Sequence, residues 1–227
     1  MHHLGDIYCE RGVPEKVEKL VLVEIKQLRA RGKQHSKAFR RLAPPLAEAY
    51  IRQERLDAAK ADLRELLDIF ERMAGHDVSD QLNHVRSMIG LARVNWFLAR
   101  RSEARQTLEL ALGLTERYRT FTKGNYYIGF INLFLSVVNF ELHKFAESRL
   151  TLASANDILC KEVPRHFIPG LGSYFLQDLQ RIEALQRPWS SIGATQFSTR
   201  FQQSSNKSGP EEPRRNNKES GKVMARG

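Results

Sequence analysis

The chain repeats itself, and no other property restricts its fold as strongly. The stretches LGDIYCERGVPEKVEKLV, LAEAYIRQERLDAAKADL, LARVNWFLARRSEARQTL and LSVVNFELHKFAESRLTL, beginning at Leu4, Leu46, Leu91 and Leu135, align without a gap, and their starts lie 42, 45 and 44 residues apart. A repeat of this length is one supersecondary unit whose apolar face is covered only when copies stack. Each copy opens on Leu followed by a small residue (Gly5, Ala47, Ala92, Ser136). Twelve residues on comes another of small or modest size (Val17, Ala59, Ala104, Ser148), and four further an aliphatic anchor (Val21, Leu63, Leu108, Leu152). Small residues facing each other let two helix axes approach while leucines fill the seam, so each copy reads as an antiparallel helix pair.

The periodicity predicts helices near 3–11, 14–31, 37–53, 56–73, 79–99, 101–119, 124–142, 145–161 and 169–186. The first eight form repeats near 3–31, 37–73, 79–119 and 124–161, and the last is a capping helix with polar residues on one side. Pro14 suits a helix start, Gly32 a helix end, and Gly75 and Gly124 the loops between pairs. Pro44 and Pro45 are expected in the first turn of their helix, where a missing N–H costs little. The repeat domain is thus expected over 1–186. No comparable cap precedes the first repeat, which leaves that end open to further repeats, to self-association or to a place within a larger protein. Residues 187–227 are poor in apolar side chains and rich in Ser, Gln, Asn, Lys and Arg, so a disordered basic tail is expected there.

Charge and cysteine usage limit the function classes. The net charge is +10, but 187–227 holds eight basic against three acidic residues, so half of the excess belongs to the tail rather than to one face of the body. Cys9 and Cys160 stand far apart with no CxxC spacing, which predicts free thiols and no zinc site. No apolar run is long enough to span a membrane, and MHHLGDIYCERG has no secretory pattern, so an intracellular protein, cytoplasmic or nuclear, is expected.

The Leu-small pairs and the aromatic that follows in the first two copies (Tyr8, Tyr50) resemble the tetratricopeptide repeat family, in the long-helix form of kinesin light chains. The resemblance covers roughly residues 3–160. Asn95 and Asn139 replace the aromatic in later copies, and the turn glycine of the family stands only at Gly12. Such a resemblance implies an all-α, right-handed superhelix of about four helix pairs and a protein-binding scaffold without enzymatic activity or cofactor, taking a short peptide or helix in a concave groove. The Lys and Asn that clamp a C-terminal carboxylate in chaperone-binding members are replaced here by Pro45, Gly90 and Phe134.

Reactive constellations are not apparent. The seven histidines are scattered, with no HxxxH or HExxH, and no glycine-rich phosphate loop occurs, so neither catalytic nor metal-ligating residues are assigned. His76 and His84 are expected to be solvated. Asp57, Asp62, Glu65, Asp68 and Glu71 interleave with Arg55, Lys60, Arg64 and Arg72 as on a salt-bridged outer face. Two side-chain groups remain. Arg93, Trp96 and Phe97 align with Glu48, Ile51 and Arg52 in the copy before and with Val137, Phe140 and Glu141 in the copy after. They offer a stripe in which Arg52, Arg93, Trp96, Phe97 and Phe140 would contact a partner, an acidic one being compatible with the charge. Packing of Trp96, Phe134 and Phe140 between repeats is the competing reading. The second group, Tyr118, Arg119, Phe121, Lys123, Tyr126 and Tyr127, mixes rings and positive charge as single-stranded nucleic acid prefers. Packing of that loop is the favoured reading, and a basic nucleic-acid-binding helical repeat is the alternative function.

Overall fold

The structure, a computed structural model, describes residues 8–9, 13–122 and 125–159. Among the described residues seven helices can be followed from end to end: α1 (Pro14–Ala30), α2 (Lys37–Arg52), α3 (Leu56–Arg72), α4 (Val78–Phe97), α5 (Arg101–Arg117), α6 (Tyr126–Glu141) and α7 (Phe145–Leu159). Each packs on its neighbours in sequence, and α2, α4 and α6 also touch one another from pair to pair, forming the inner layer of a helical-repeat solenoid. The expected first helix apart from Tyr8 and Cys9, the capping helix 169–186, Cys160, Lys123 and the tail 187–227 lie outside the described residues.

The two kinds of helix start differently. The inner helices begin on polar caps: the side chains of Ser36, Asp77 and Asn125 accept from the backbone N–H of Phe39, Asp80 and Tyr127 at 3.3, 2.8 and 2.9 Å. Each such bond occupies one of the donors that a helix N-terminus leaves open. The outer helices α3, α5 and α7 are instead entered through a tight turn whose middle residue is left-handed, at Glu54 (φ 59°), Ala99 (φ 58°) and His143 (φ 60°). In each turn the next N–H reaches back to the same carbonyl: Arg55 to Tyr50, Arg100 to Asn95 and Lys144 to Asn139, at 2.9, 2.9 and 2.8 Å. This is the 6→1 bond of a Schellman end. Val13 makes the same bond to Tyr8 at 3.0 Å, so the bond is common to all four copies.

The small residues that align between copies are buried where the paired helices meet: Ala47 and Ala59, Ala92 and Ala104, Ser136 and Ser148. In the last pair the contact is a hydrogen bond, Ser148 Oγ donating to the Ser136 carbonyl at 2.7 Å. Two adjoining apolar clusters make up the core and meet at α4, where Val94 belongs to one, Ile89 and Ala92 to the other, and Leu91 packs on both. Close approach is tightest at Gly129 on α6, where a Cβ would come within 2.8 Å of Leu159.

Two expectations need correction. Pro44 and Pro45 lie in the interior of α2, not in its first turn, because Ser36 caps the helix a full two turns earlier. The carbonyls of Arg40 and Arg41 therefore lose their usual helical donors. The carboxylates of α3 do not simply pair along their own helix. Arg29 from α1 donates to Asp62 at 2.7 Å and to Glu65 at 2.5 Å, so part of that face is a seam between repeats.

Candidate functional site

The inner helices carry stripes at spacings of three and four residues, which share one helix face. On α2 the stripe is Arg41, Pro45, Glu48 and Arg52; on α4 it is Arg86, Gly90, Arg93 and Phe97; on α6 it is Phe130, Phe134, Val137 and Glu141. Glu48 lies between two guanidinium groups. Arg93 Nη1 donates to its Oε2 at 2.8 Å and Arg52 Nε to its Oε1 at 2.9 Å. Arg93 is 2% exposed. Beside it Gly90 lets α4 lie close to α3: a Cβ at Gly90 would sit 3.3 Å from Leu63. A space of about 20 Å³, room for one water, remains beside Pro44, Glu48, Ser87 and Arg93. Burying charge is costly unless the partners meet with good geometry, and this carboxylate uses both oxygens to hold two cations.

Trp96 anchors the next junction. It is 8% exposed, its Nε1 donates to Glu141 Oε2 at 2.7 Å, and the ring of Phe134 meets it edge-on at 5.9 Å. The Arg101 guanidinium lies 5.2 Å from the Trp96 ring and is also paired with Glu141. Phe97 packs on Trp96 at 5.2 Å yet remains 40% exposed. Phe140 is half-buried and sets its ring against Phe145 at 5.5 Å, at the turn into α7.

Of the residues singled out in the sequence, Arg52 and Arg93 are thus joined through Glu48, and Trp96 stands against Phe97, while the ring partner of Phe140 is Phe145. Arg93 faces Glu48 rather than solvent, so reversing its charge would place two carboxylates together in the seam. Sequence reasoning passes over Glu48, Arg101 and Glu141 as site residues, and they carry much of the polar bonding here. The one available signal is that Glu48 and Arg93 occupy equivalent repeat positions with opposite charge.

The histidines also need correction. His84 is 6% exposed, stacked on Phe70 (4.9 Å, 13°), and its Nδ1 lies 2.8 Å from the Tyr118 hydroxyl. Burial above all, with the nearby His76 and Arg117 charges, lowers its imidazole to about 4. It is neutral at pH 7. Tyr118, Phe121 and Tyr127 are buried, as the packing reading of that loop requires, and so do not form an open stacking platform. Among the described residues no group of three or more His, Cys, Asp or Glu side chains could hold a metal ion, and no helix is long and apolar enough to cross a membrane.

No family model matches the sequence, and no curated protein matches it. Fourteen chains of solved structures do. One is the crystal structure of a Podosopora anserina protein described as a kinesin light chain with nearly identical TPR-like repeats. It is 16% identical, with a TM-score of 0.60 over 91% of this chain and 95% of that one. Another is BtubC (BKLC) from P. vanneervenii, 13% identical, with a TM-score of 0.48 over 100% of this chain and 99% of that one. The likeness to the first structure shows the fold: a TPR-like helical-repeat solenoid.

Proposed function

We propose that this solenoid is a non-enzymatic protein-interaction scaffold that holds an acidic peptide or helix along α2, α4 and α6, with Arg52, Arg93, Trp96, Phe97 and Phe140 as the binding residues. The observation that carries the reading is the composition of the inner stripes. Those of α2 and α4 hold four arginines against the single carboxylate of Glu48, and they run into an exposed phenylalanine backed by tryptophan. A stripe rich in arginine draws an acidic segment and orients it, and a half-exposed ring on a rigid base is the usual form of an affinity anchor. Arg93 acts from beneath, by holding Glu48 and keeping the local balance positive. Phe97 and Phe140 make the direct apolar contacts.

Selection of a random-peptide display library against the protein tests this. Acidic peptides with an apolar anchor are expected, and Phe97→Ala and Phe140→Ala should each weaken the selected peptides by roughly tenfold, the size of a modest hot spot. Phe97 is the better probe than Arg93 because its exposure lets it be truncated without opening the seam. Peptides that bind both variants as tightly as the parent would show that the inner face is not the site.

A further inference from the structure

The turns that lead from inner to outer helices carry a charge pattern that the inner face does not use. In the last three copies a cation precedes the outer helix (Arg55, Arg100, Lys144) and a second follows five residues on (Lys60, Arg105, Arg149), whereas the first copy has Val13 and Glu18 at these positions. Stacking brings the second position of one copy towards the first position of the next, so three junctions of one design can be compared. In the first, Glu18 binds Arg55 at 2.7 Å. In the second two cations meet, and Glu103 stands 3.8 Å from Lys60 and 3.7 Å from Arg100. In the third, Arg105 and Lys144 line a cleft of about 170 Å³ between α5 and the turn into α7. Glu109, one turn along α5, engages Arg105 at 2.7 Å, and Lys144 pairs with no carboxylate among the described residues.

We propose that this cleft binds a phosphate group, which plays between Arg105 and Lys144 the part that a carboxylate plays in the two junctions before it. Lys144 stands at the start of α7, where the positive end of the helix dipole adds to its own charge, and an anion beside it relieves both.

The donors select the anion. Arg105 offers a planar fork of N–H groups and Lys144 an ammonium, and the Ser102 hydroxyl and the Gln106 amide line the cleft beside them. Such a set donates from more directions than the two oxygens of a carboxylate can accept, and a phosphate answers it. Ser102 and Gln106 are exposed and Arg105 and Lys144 half-exposed, so a ligand reaches all four from solvent. The cleft is smaller than pockets for drug-sized molecules, which run from about 300 to 1,000 Å³, and this limits the ligand to a small group. Leu142 supplies an apolar contact for the carbon of an ester. With Glu109 counted, the lining carries two positive charges and one negative, a balance that still favours an anion.

Methyl phosphate and inorganic phosphate serve as probes, with acetate at matched ionic strength as the reference, in heteronuclear NMR titrations of the full chain. Saturable shifts at Ser102, Gln106 and Lys144 are expected with the phosphates and not with acetate. Tighter binding of methyl phosphate assigns a monoester as the ligand through Leu142, and equal binding assigns the free ion; either bears out the site. Lys144→Gln and Arg105→Gln should each weaken binding roughly tenfold, as loss of a hydrogen bond between charged groups does. Lys26→Gln removes the same charge from an exposed position on α1 and should leave binding unchanged. Glu109→Gln frees Arg105 and removes the competing charge, so it should tighten binding, a gain that misfolding cannot imitate. Absence of saturable shifts with both phosphates, equal shifts with acetate, or equal binding by the Lys144, Arg105 and Lys26 variants would overturn the proposal. Peptides selected on the inner face should bind Lys144→Gln unchanged, which separates the two sites.

Discussion

The α2–α4 junction and the α4–α6 junction join equivalent faces of successive repeats, yet charge holds one and rings hold the other. Between α2 and α4, Arg40 grips Asp80 through two bonds of 2.8 and 3.1 Å, and Glu48 binds Arg93 and Arg52. Between α4 and α6, Phe134 meets Trp96 edge-on, and the polar bonding is confined to the Trp96, Arg101 and Glu141 end. Position by position the inner stripe passes from Arg41 and Arg86 to Phe130, and from Glu48 and Arg93 to Val137. A solenoid therefore constrains how closely its helices approach more strictly than what they touch with. The two solutions differ in how they fail. A ring that loses a neighbour forfeits contact area, whereas a buried ion that loses its partner is left with its whole desolvation cost.

The largest effect should come from the charged junction. Glu48→Leu removes the carboxylate that two guanidinium groups share and is expected to cost about 3–5 kcal/mol, the range for breaking a buried pair from one side. Arg93→Met leaves Arg52 to hold Glu48 and should cost less than half as much. Denaturant midpoints of the two variants check the ranking, and equal losses would show that the pair with Arg52 contributes nothing.

Acid should find a buried imidazole that neither junction uses. His84 is faced by His76, by Arg117 and by the Tyr118 hydroxyl, and its folded pKa of about 4 lies below the ordinary 6.5. Between those values the unfolded chain takes up a proton that the folded chain refuses, so stability falls as pH drops from 6.5 to 4. The loss by pH 4 is about 3 kcal/mol at most. Urea titrations of the parent and His84→Phe at pH 7 and pH 4.5 should show the parent losing more. Parallel losses would mean that the carboxylates alone account for the acid sensitivity.

In the aromatic junction a milder change is enough. Trp96→Phe keeps a ring against Phe134 but removes the N–H that reaches Glu141, while Arg101 still holds that carboxylate. A loss of about 1–2 kcal/mol is expected in thermal or urea unfolding. A loss as large as that of Glu48→Leu would erase the contrast between the junctions.

What is legible in the sequence follows the same division. The repeat spacing locates the described helices to within a few residues, and the aligned small residues at Ala92 and Ala104, or Ser136 and Ser148, are buried as the antiparallel pairing requires. Periodicity records burial within one unit directly. The partners of Arg93 and Trp96 lie in other repeats, 45 residues away, and depend on which faces meet after stacking. A composition rule that places arginine, glutamate and histidine outside cannot find Glu48, Arg93 or His84 in the interior. Pro44 and Pro45 mislead for a similar reason: local preference favours a helix start, but the capped helix continues through them.

The smallest expected effect tests a feature shared by both halves. Glu54, Ala99 and His143 hold the same left-handed turn in the charged, middle and aromatic parts of the solenoid, and only the first copy has glycine, Gly12, at the equivalent sequence position. A side chain in this conformation costs about 1–2 kcal/mol, and glycine removes that cost while adding freedom to the unfolded chain. Ala99→Gly is therefore expected to stabilise by about 0.5–1 kcal/mol, and so is Glu54→Gly at its exposed site. His143→Gly should yield less, because the imidazole also meets the Phe145 ring at 5.9 Å. Urea midpoints of the three single variants give the order. If His143→Gly were the most stabilising, its contact with Phe145 would contribute nothing, and the aromatic end of the solenoid would owe its stability to the inner rings alone.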